Sequence, residues 1–528
     1  MQNGSMASRS KSKPDNKISP KLISIIAVII LIILALTVIA STMSKPVSRD
    51  EQMYCTGAVF LAQGKMIYRD FSYAAQMPYH PLLCAALFKL FNTTHYLFIG
   101  RIVSCASDIL VMLCIVGIYR HIFPPATTSG IILGLAAAVL YVFNPLVDYA
   151  NGYAWNHDVV IFCVILSLWL FISTDFRHKS KYWRIAAIGA FLTFATCMRI
   201  TTALAELLFF AILLSRPAKS VKQRLQTALP FLIASALVSI WPIWVIARAP
   251  KAFFLNVVKI PMLYAQWLHE IGMVYDKFDL TFACLTAPGY FVIILLSIYL
   301  WATVLCLRGR LKIENGGNLL LAILLPVIFF VIALVPPTMW QQYLAVPVPF
   351  LIVSLAFPLW YLRKLSVGVK TVRHFRIAAV SMILCALVAV LSNPVVMYRT
   401  PFAFVPENWT PIEMHKVSQD IAARTKKPKL VLTLAPLLAL EGGCDIYPEL
   451  SAGAIIYRIA DSLSDEQRRL THTAGIETLA ESLKKNPPSA VIVGVEMERL
   501  EKPIYESIVK SDWERKDYKD GPIVYFRP

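Results

Sequence analysis

The strongest constraint on this chain lies near its start. LISIIAVIILIILALTVIA, Leu22 to Ala40, contains no charged side chain. At 1.5 Å of rise per residue a helix of this length covers the roughly 30 Å hydrocarbon core of a bilayer. Only a helix satisfies its own backbone polar groups in lipid, so the run is a helix. A secretory signal has a shorter apolar centre and a small-residue cleavage site. No A-x-A pattern follows here, so the run reads as an uncleaved first span.

Further apolar runs centre on 97–118, 130–147, 157–173, 184–198, 202–214, 227–247, 289–307, 318–335, 341–361 and 376–397, about eleven spans with the first. The pair 184–198 and 202–214 is short and broken around Arg199. Residues are 57% hydrophobic and 16% charged, against about a quarter charged in soluble domains. The expected fold class is an α-helical polytopic membrane protein with a small C-terminal α/β soluble domain.

Charge sets the expected orientation. With the N-terminus inside, the short cytoplasmic segments hold most of the membrane region's cations. Among them are Lys11, Lys13, Lys17 and Lys21, Arg177 to Arg184, Arg216 to Arg224, Arg308 to Lys312, and Arg363 to Arg376. This is the positive-inside pattern. The net charge of +19 therefore records topology and contact with anionic membrane lipids, and no nucleic-acid partner is expected. An odd number of spans places the C-terminal segment outside. The host membrane is expected to be a bacterial inner (plasma) membrane.

Three regions follow. Residues 1–21 form a basic, disordered cytoplasmic tail, 22–398 the membrane region with a first outer loop at 42–96, and 399–528 an extracytoplasmic α/β domain. In that last part KLVLTLAP (429–436), SAVIVGVE (489–496) and PIVYFR (522–527) read as short buried strands. They alternate with helical patterns at 411–425, 464–471, 475–486 and 499–511. Within the first outer loop, PLLCAALFKLFN has helical apolar spacing suited to the membrane interface. Cys55 and Cys84 share that loop and are able to pair in an oxidising compartment, but the cysteines as a set support no disulfide framework.

Directly after the first span the chain reads SRDEQMYCTG, then GKMIYRDF, then MPYHPL, and GRIVSCASDIL opens the second span. This arrangement resembles the dolichyl-phosphate-mannose-protein mannosyltransferase-like branch of the GT-C glycosyltransferases, a group that includes the aminoarabinose transferases of lipid A modification. The likeness is sharpest over 48–108 and continues through NHD (156–158), CMRITT (197–202) and WQQYLAVPVPF (340–350). The resemblance implies an inverting transfer of a sugar from a polyprenyl-phosphate donor to a lipid, glycan or protein acceptor. It also implies that Asp50 matches the family's acid in the first outer loop and Asp158 the acid opening the next. Where the lipid A enzymes carry a Lys before a Pro-Pro-Leu turn, this chain has Met77-Pro78-Tyr79-His80-Pro81-Leu82, which argues against an aminoarabinose donor.

The chemistry of the residues fits that expectation. Displacement at an anomeric carbon needs a base on the acceptor and stabilisation of the departing phosphate. A carboxylate close to the membrane surface is partly desolvated, which raises its pKa toward the useful range for a general base. Asp50 is the candidate base. Glu51 is a candidate substrate-binding residue, although adjacent helical residues face different ways and one of the pair is able to serve only as a cap. Asp158 is expected to orient acceptor or sugar hydroxyls. Arg101 and Arg199 are the candidate phosphate ligands, with Arg69 or His80 in support, since an arginine near lipid must pair, snorkel or face a cavity. Arg69 and Asp70 are also placed to pair locally. Glu441, Asp445, Glu449 and Arg458 read as solvated loop charges.

No cofactor is required by this set. A divalent metal is compatible with the histidines of the outer side, but the three convergent ligands a metal site needs are not apparent. No phosphate-cradling G-x-x-x-x-G-K-[ST] loop occurs, which excludes an ATP-driven pump of that type. The rival class is a transporter or flippase of a lipid-linked sugar. It shares the basic pocket and lacks the base, but neither repeated halves nor a span broken at mid-membrane is evident.

Overall fold

The computed structural model describes residues 19–123, 128–273, 276–307, 316–365, 369–506, 508–519 and 521–528. The basic tail expected at 1–21 lies outside the described residues up to 18, as do the loop cations Arg308, Arg310 and Lys312. The first span is α1 (Pro20–Ser44), and two shorter helices follow it, α2 (Arg49–Ala62) and α3 (Tyr79–Phe91). The second span is α4 (Tyr96–Ile122). Next come α5 (Ser129–Val142), α6 (Pro145–Ala150), α7 (His157–Ile172), α8 (Lys181–Thr196), α9 (Ala203–Ser215) and α10 (Val221–Arg248). The stretch after α10 carries α11 (Pro250–Phe254), α12 (Ile260–Glu270) and α13 (Lys277–Thr286). The membrane region closes with α14 (Pro288–Leu307), α15 (Gly316–Leu334), α16 (Pro347–Ser354), α17 (Ala356–Leu365) and α18 (Val369–Ser392).

Among the described residues seven helical segments are long and apolar enough to cross a bilayer, and 129–142, 157–172 and 200–215 are shorter apolar helices. Lipid is the solvent for the outermost of these. Only 17% of the apolar window of α10 is buried, against 83% for 341–365, so α10 faces lipid and α16–α17 occupy the centre. Ile25, Ile29 and Ile32 of α1 and Leu237 and Ile240 of α10 are exposed, as lipid-facing side chains should be. Close helix approach needs small residues. A Cβ built on Gly189 of α8 would lie 2.5 Å from the Phe231 carbonyl oxygen of α10.

After α18, a short helix α19 (Pro394–Arg399) leads into the C-terminal segment with α20 (Thr410–Arg424), α21 (Pro436–Glu441), α22 (Ala454–Tyr457), α23 (Asp465–Leu470), α24 (Ile476–Lys485) and α25 (Glu498–Glu506). Its five-stranded sheet is made of β1 (Leu430–Thr433), β2 (Asp445–Ile446), β3 (Ala490–Val493), β4 (Glu514–Asp517) and β5 (Ile523–Phe526), in the order β2-β1-β3-β5-β4. β1 pairs parallel with β2 and β3, with Val431 beside Ala490. β5 runs antiparallel between β3 and β4. The three expected strands are β1, β3 and β5; β2 and β4 are short or charged and carry no apolar signal of their own.

The segment docks closely on the first loop and second span. Glu441 at the end of α21 is fully buried. It accepts the Leu97 backbone N–H at the start of α4 at 2.6 Å and His415 Nδ1 at 3.2 Å. His415 stacks on His95 at 3.6 Å. Leu437 N–H donates to Gln52 Oε1 of α2 at 3.0 Å. Glu441 and Arg458 are therefore not the solvated loop charges expected from composition. They are buried because helix ends and carboxylates at this junction satisfy each other.

Candidate active site

The adjacent acids of α2 separate into two environments. Ser48 caps the helix, its Oγ accepting from Asp50 N–H at 3.3 Å, while its own N–H donates to Glu51 Oε2 at 2.8 Å. A helix turns by about 100° per residue, so Asp50 and Glu51 point apart. Glu51 turns inward. Its carboxylate also accepts Arg101 Nε and Nη2, both at 2.9 Å, and Ala154 N–H at 2.7 Å. Arg101 Nη1 donates to the carbonyls of Thr42 and Lys45, and Nη2 to that of Pro46, so all five guanidinium N–H groups have acceptors. Both side chains are fully buried. The expectation that Arg101 and Glu51 bind substrate is corrected here: they form a closed ion pair joining α2, α4 and the end of α1.

Asp50 takes the other face. It is half-buried, and among the described residues its carboxylate has no hydrogen-bond partner. Burial lifts its pKa to about 6, the Glu51 charge adds to the rise, and Arg458 and Arg49 draw it down. Its charge reaches the hydroxyls of Tyr54, one turn along α2, and of Tyr264 and Tyr343. Arg199 acts on Tyr54 and Tyr343 in the opposite sense. The two tyrosines are thus within reach of both a carboxylate and a guanidinium.

Arg199 occupies the break between α8 and α9 in an extended conformation, φ −146° and ψ 104°. That break turns its side chain out of the helical stack. Its Nη1 is 3.5 Å from His157 Nδ1 and its guanidinium lies over the Tyr343 ring at 5.2 Å. It makes no ion pair among the described residues. A small pocket opens beside it, lined by the polar residues Arg199, Thr201, Thr202 and Tyr343 together with the apolar Val160, Phe329, Ile332 and Val346. Its lining thus sets one guanidinium among apolar side chains.

The remaining expected residues lie elsewhere. Arg69 is exposed and forms a bidentate pair with Asp70 at 2.7 Å, as local pairing suggested, so it is not a support for phosphate. His80 is buried with its Nδ1 unpartnered, packed edge-on to Tyr54 at 5.2 Å. Burial pushes its pKa down to about 3, so it is neutral and supplies no cation. Asp158 is fully buried and accepts Gly152 N–H at 3.2 Å. Its charge acts with those of Asp108 and Lys45, and its Oδ1 is buried without a hydrogen-bond partner among the described residues. Lys45 donates to the carbonyls of Asp148 and Asn151, and Asn151 Nδ2 to Asp108 Oδ1 at 2.8 Å. This inner cluster clamps the irregular segment 151–156. Cys55 and Cys84 are buried free thiols. No group of three His, Cys, Asp or Glu able to hold a metal occurs among the described residues.

Sequence reasoning missed Lys45, which reads as a headgroup anchor after the first span, and Tyr54 and Tyr343, which read as interface aromatics. The spacing of Tyr54 four residues after Asp50 was the available signal, since such pairs share a helix face.

Comparison with solved structures accounts for the arrangement. The crystal structure of ArnT from Cupriavidus metallidurans bound to undecaprenyl phosphate matches with a TM-score of 0.61 at 13% identity, covering 96% of this chain and 98% of that one. The chain has the ArnT fold. The apo form of the same ArnT matches at a TM-score of 0.57, again with 13% identity, over 96% of this chain and 97% of that one. The apo oligosaccharyltransferase of Archaeoglobus fulgidus aligns at 0.47 and 12% identity, over 89% of this chain and 70% of that one. No protein-family model and no curated protein sequence matches this chain. The polytopic helical fold with a small C-terminal sheet domain, expected from the sequence, is thus the fold observed, in an integral membrane protein built of membrane-spanning helices.

Proposed function

We propose that the chain is an inverting glycosyltransferase that moves a sugar from a polyprenyl-phosphate donor to an acceptor on the outer face of the membrane. The observation that supports this reading is that Asp50, whose carboxylate has no hydrogen bond among the described residues, and Arg199, which makes no ion pair among them, act on the same two hydroxyls, those of Tyr54 and Tyr343. The ArnT fold adds to it, because that ArnT was crystallised with undecaprenyl phosphate.

In this reaction Asp50 takes the proton from the acceptor's hydroxyl or amine. The freed lone pair attacks the anomeric carbon from the side opposite the phosphate, and the carbon–oxygen bond to the phosphate breaks with inversion. Arg199 and the Tyr343 hydroxyl stabilise the negative charge that collects on the departing phosphate, the larger electrostatic contribution. The apolar side chains of the adjoining pocket meet the first part of the prenyl chain. Glu51, Arg101 and Asp158 fix the backbone around the base.

The test is direct. Purified protein is incubated with a panel of prenyl-phosphate sugars and acceptors, and released prenyl phosphate is measured by mass spectrometry. Asp50→Asn should lower turnover by about 10²- to 10⁴-fold with donor binding retained. A flippase would keep its transport in that variant and release no prenyl phosphate.

A further inference from the structure

The two peptide carbonyls ahead of Arg199 lie past the end of α8, where a helix leaves its last carbonyls without intrahelical donors. Each is met by a different segment. The Cys197 carbonyl accepts the Tyr79 N–H at the start of α3 at 3.1 Å, and the Met198 carbonyl accepts Asn156 Nδ2 at 2.8 Å. Asn156 Nδ2 also donates to Gln76 Oε1, again at 2.8 Å. A carbonyl only accepts, so the Met198 contact fixes which end of the amide faces the break. Three stretches distant in the chain thus meet at one buried asparagine.

Asn156 forgoes a local role to do this. It occupies the N-cap position of α7, where an asparagine side chain ordinarily accepts from N–H groups of the first turn, and it makes no such bond. Its own place is firm. In the irregular segment that it ends, Gly152 N–H donates to Asp158, the Tyr153 carbonyl accepts the Ser104 hydroxyl at 2.5 Å, and Ala154 N–H donates to Glu51 at 2.7 Å. Three successive residues are tied to α7, α4 and α2 before Asn156 reaches across to the break. The far end of the arginine meets the next residue along, with Nη1 3.5 Å from His157 Nδ1. The Thr202 hydroxyl, fully buried and without a hydrogen-bond partner among the described residues, lines the same pocket as Arg199. A guanidinium and an orphaned hydroxyl offered by one short segment leave a place for an oxyanion.

We infer that Asn156 is a positioning residue for Arg199. By holding the Met198 carbonyl it sets the direction in which the next side chain leaves the break, and so places the guanidinium against the donor phosphate. This deepens the reading of Arg199 as the phosphate ligand and rests on it. Precision matters there, since a misplacement of about 1 Å at a reacting site costs about 10²-fold in rate.

The test is a double-mutant cycle on the full-length protein in lipid nanodiscs, with undecaprenyl phosphate as the probe and its Kd read by native mass spectrometry. Asn156→Ala should raise that Kd by about tenfold in the wild-type background, and by less than about twofold in Arg199→Gln, where the side chain it acts through is gone. Phenylglyoxal labelling of the Arg199 peptide gives a reading that needs no ligand. Asn156→Ala should speed it as the guanidinium leaves His157 and Tyr343. Should Asn156→Ala fail to fold, Gln76→Ala removes the other anchor of the amide and should show the same pattern, with a Kd rise of about threefold. Where Arg199→Gln weakens binding, a wild-type Kd in folded Asn156→Ala overturns the inference. An equal loss in both backgrounds, the mark of a general structural role, overturns it too. Where Arg199→Gln leaves binding intact, faster labelling in Asn156→Ala upholds the positioning and removes the phosphate assignment, whereas unmoved labelling overturns both.

Discussion

Glu51→Gln and Asp50→Asn are nearly the same chemical change one residue apart, and the structure requires opposite outcomes. Glu51 is fully buried and accepts four N–H donors, two of them from Arg101, which is also fully buried. The amide in Glu51→Gln leaves that guanidinium without its counter-charge. Removing one partner of a buried pair destabilises by about 3–5 kcal/mol, because the other charge remains out of water. Three carbonyls still accept from Arg101, which places the expected loss toward the lower end of that range. Asp50→Asn removes no hydrogen bond from the described residues and relieves a desolvated charge, so stability should hold or rise above pH 6. The sign follows from linkage: a carboxyl whose pKa rises on folding costs stability as pH climbs from its unfolded value near 4 to its folded value of about 6, and the full cost remains above 6. Thermal unfolding in lipid nanodiscs, followed by intrinsic fluorescence, gives one axis, and release of prenyl phosphate gives the other. Glu51→Gln should lose Tm, and Glu51→Gln with Arg101→Met should regain part of it. Asp50→Asn should lose only turnover. A Glu51→Gln protein with wild-type Tm and no activity would exchange the two roles and refute the reasoning.

Other outcomes follow from the same site. With Asp50 drawn up to about 6, kcat/KM should climb with pH through about 6 and level off above it, whereas an unperturbed aspartate would place the limb near about 4. Arg199→Gln should reduce turnover by about 10²- to 10³-fold and weaken donor binding, measured by steady-state kinetics over donor concentration. Gly189→Val would force a side chain to within 2.5 Å of the Phe231 carbonyl and should destabilise by about 1–3 kcal/mol, read as a lower Tm without a shift in the pH profile.

Much of the fold was legible because lipid imposes one rule on every apolar run, and α1, α4, α10 and α14 obey it in plain sight. The site was legible in type more than in place. Asp50 could be selected by its position after the first span, but the partner of Arg101 depends on a contact between residues 51 and 101 that no local pattern encodes. Arg458 was misread for a related reason: a loop arginine amid acids looks solvated until packing against Tyr264 and Trp267 removes the water. Asp158 matched an expected position in sequence, yet the backbone turn at Gly152 draws its carboxylate into the inner cluster.

The bond from Leu97 N–H to Glu441 has a temporal meaning. A ribosome makes the second span hundreds of residues before it makes the acid that finishes that helix's exposed end. Until residue 441 has been synthesised and delivered to the same side, those first amide groups must rely on water. The order of manufacture is therefore not the order of completion, and the membrane bundle reaches its final form only when the last-made part returns to its earliest helices.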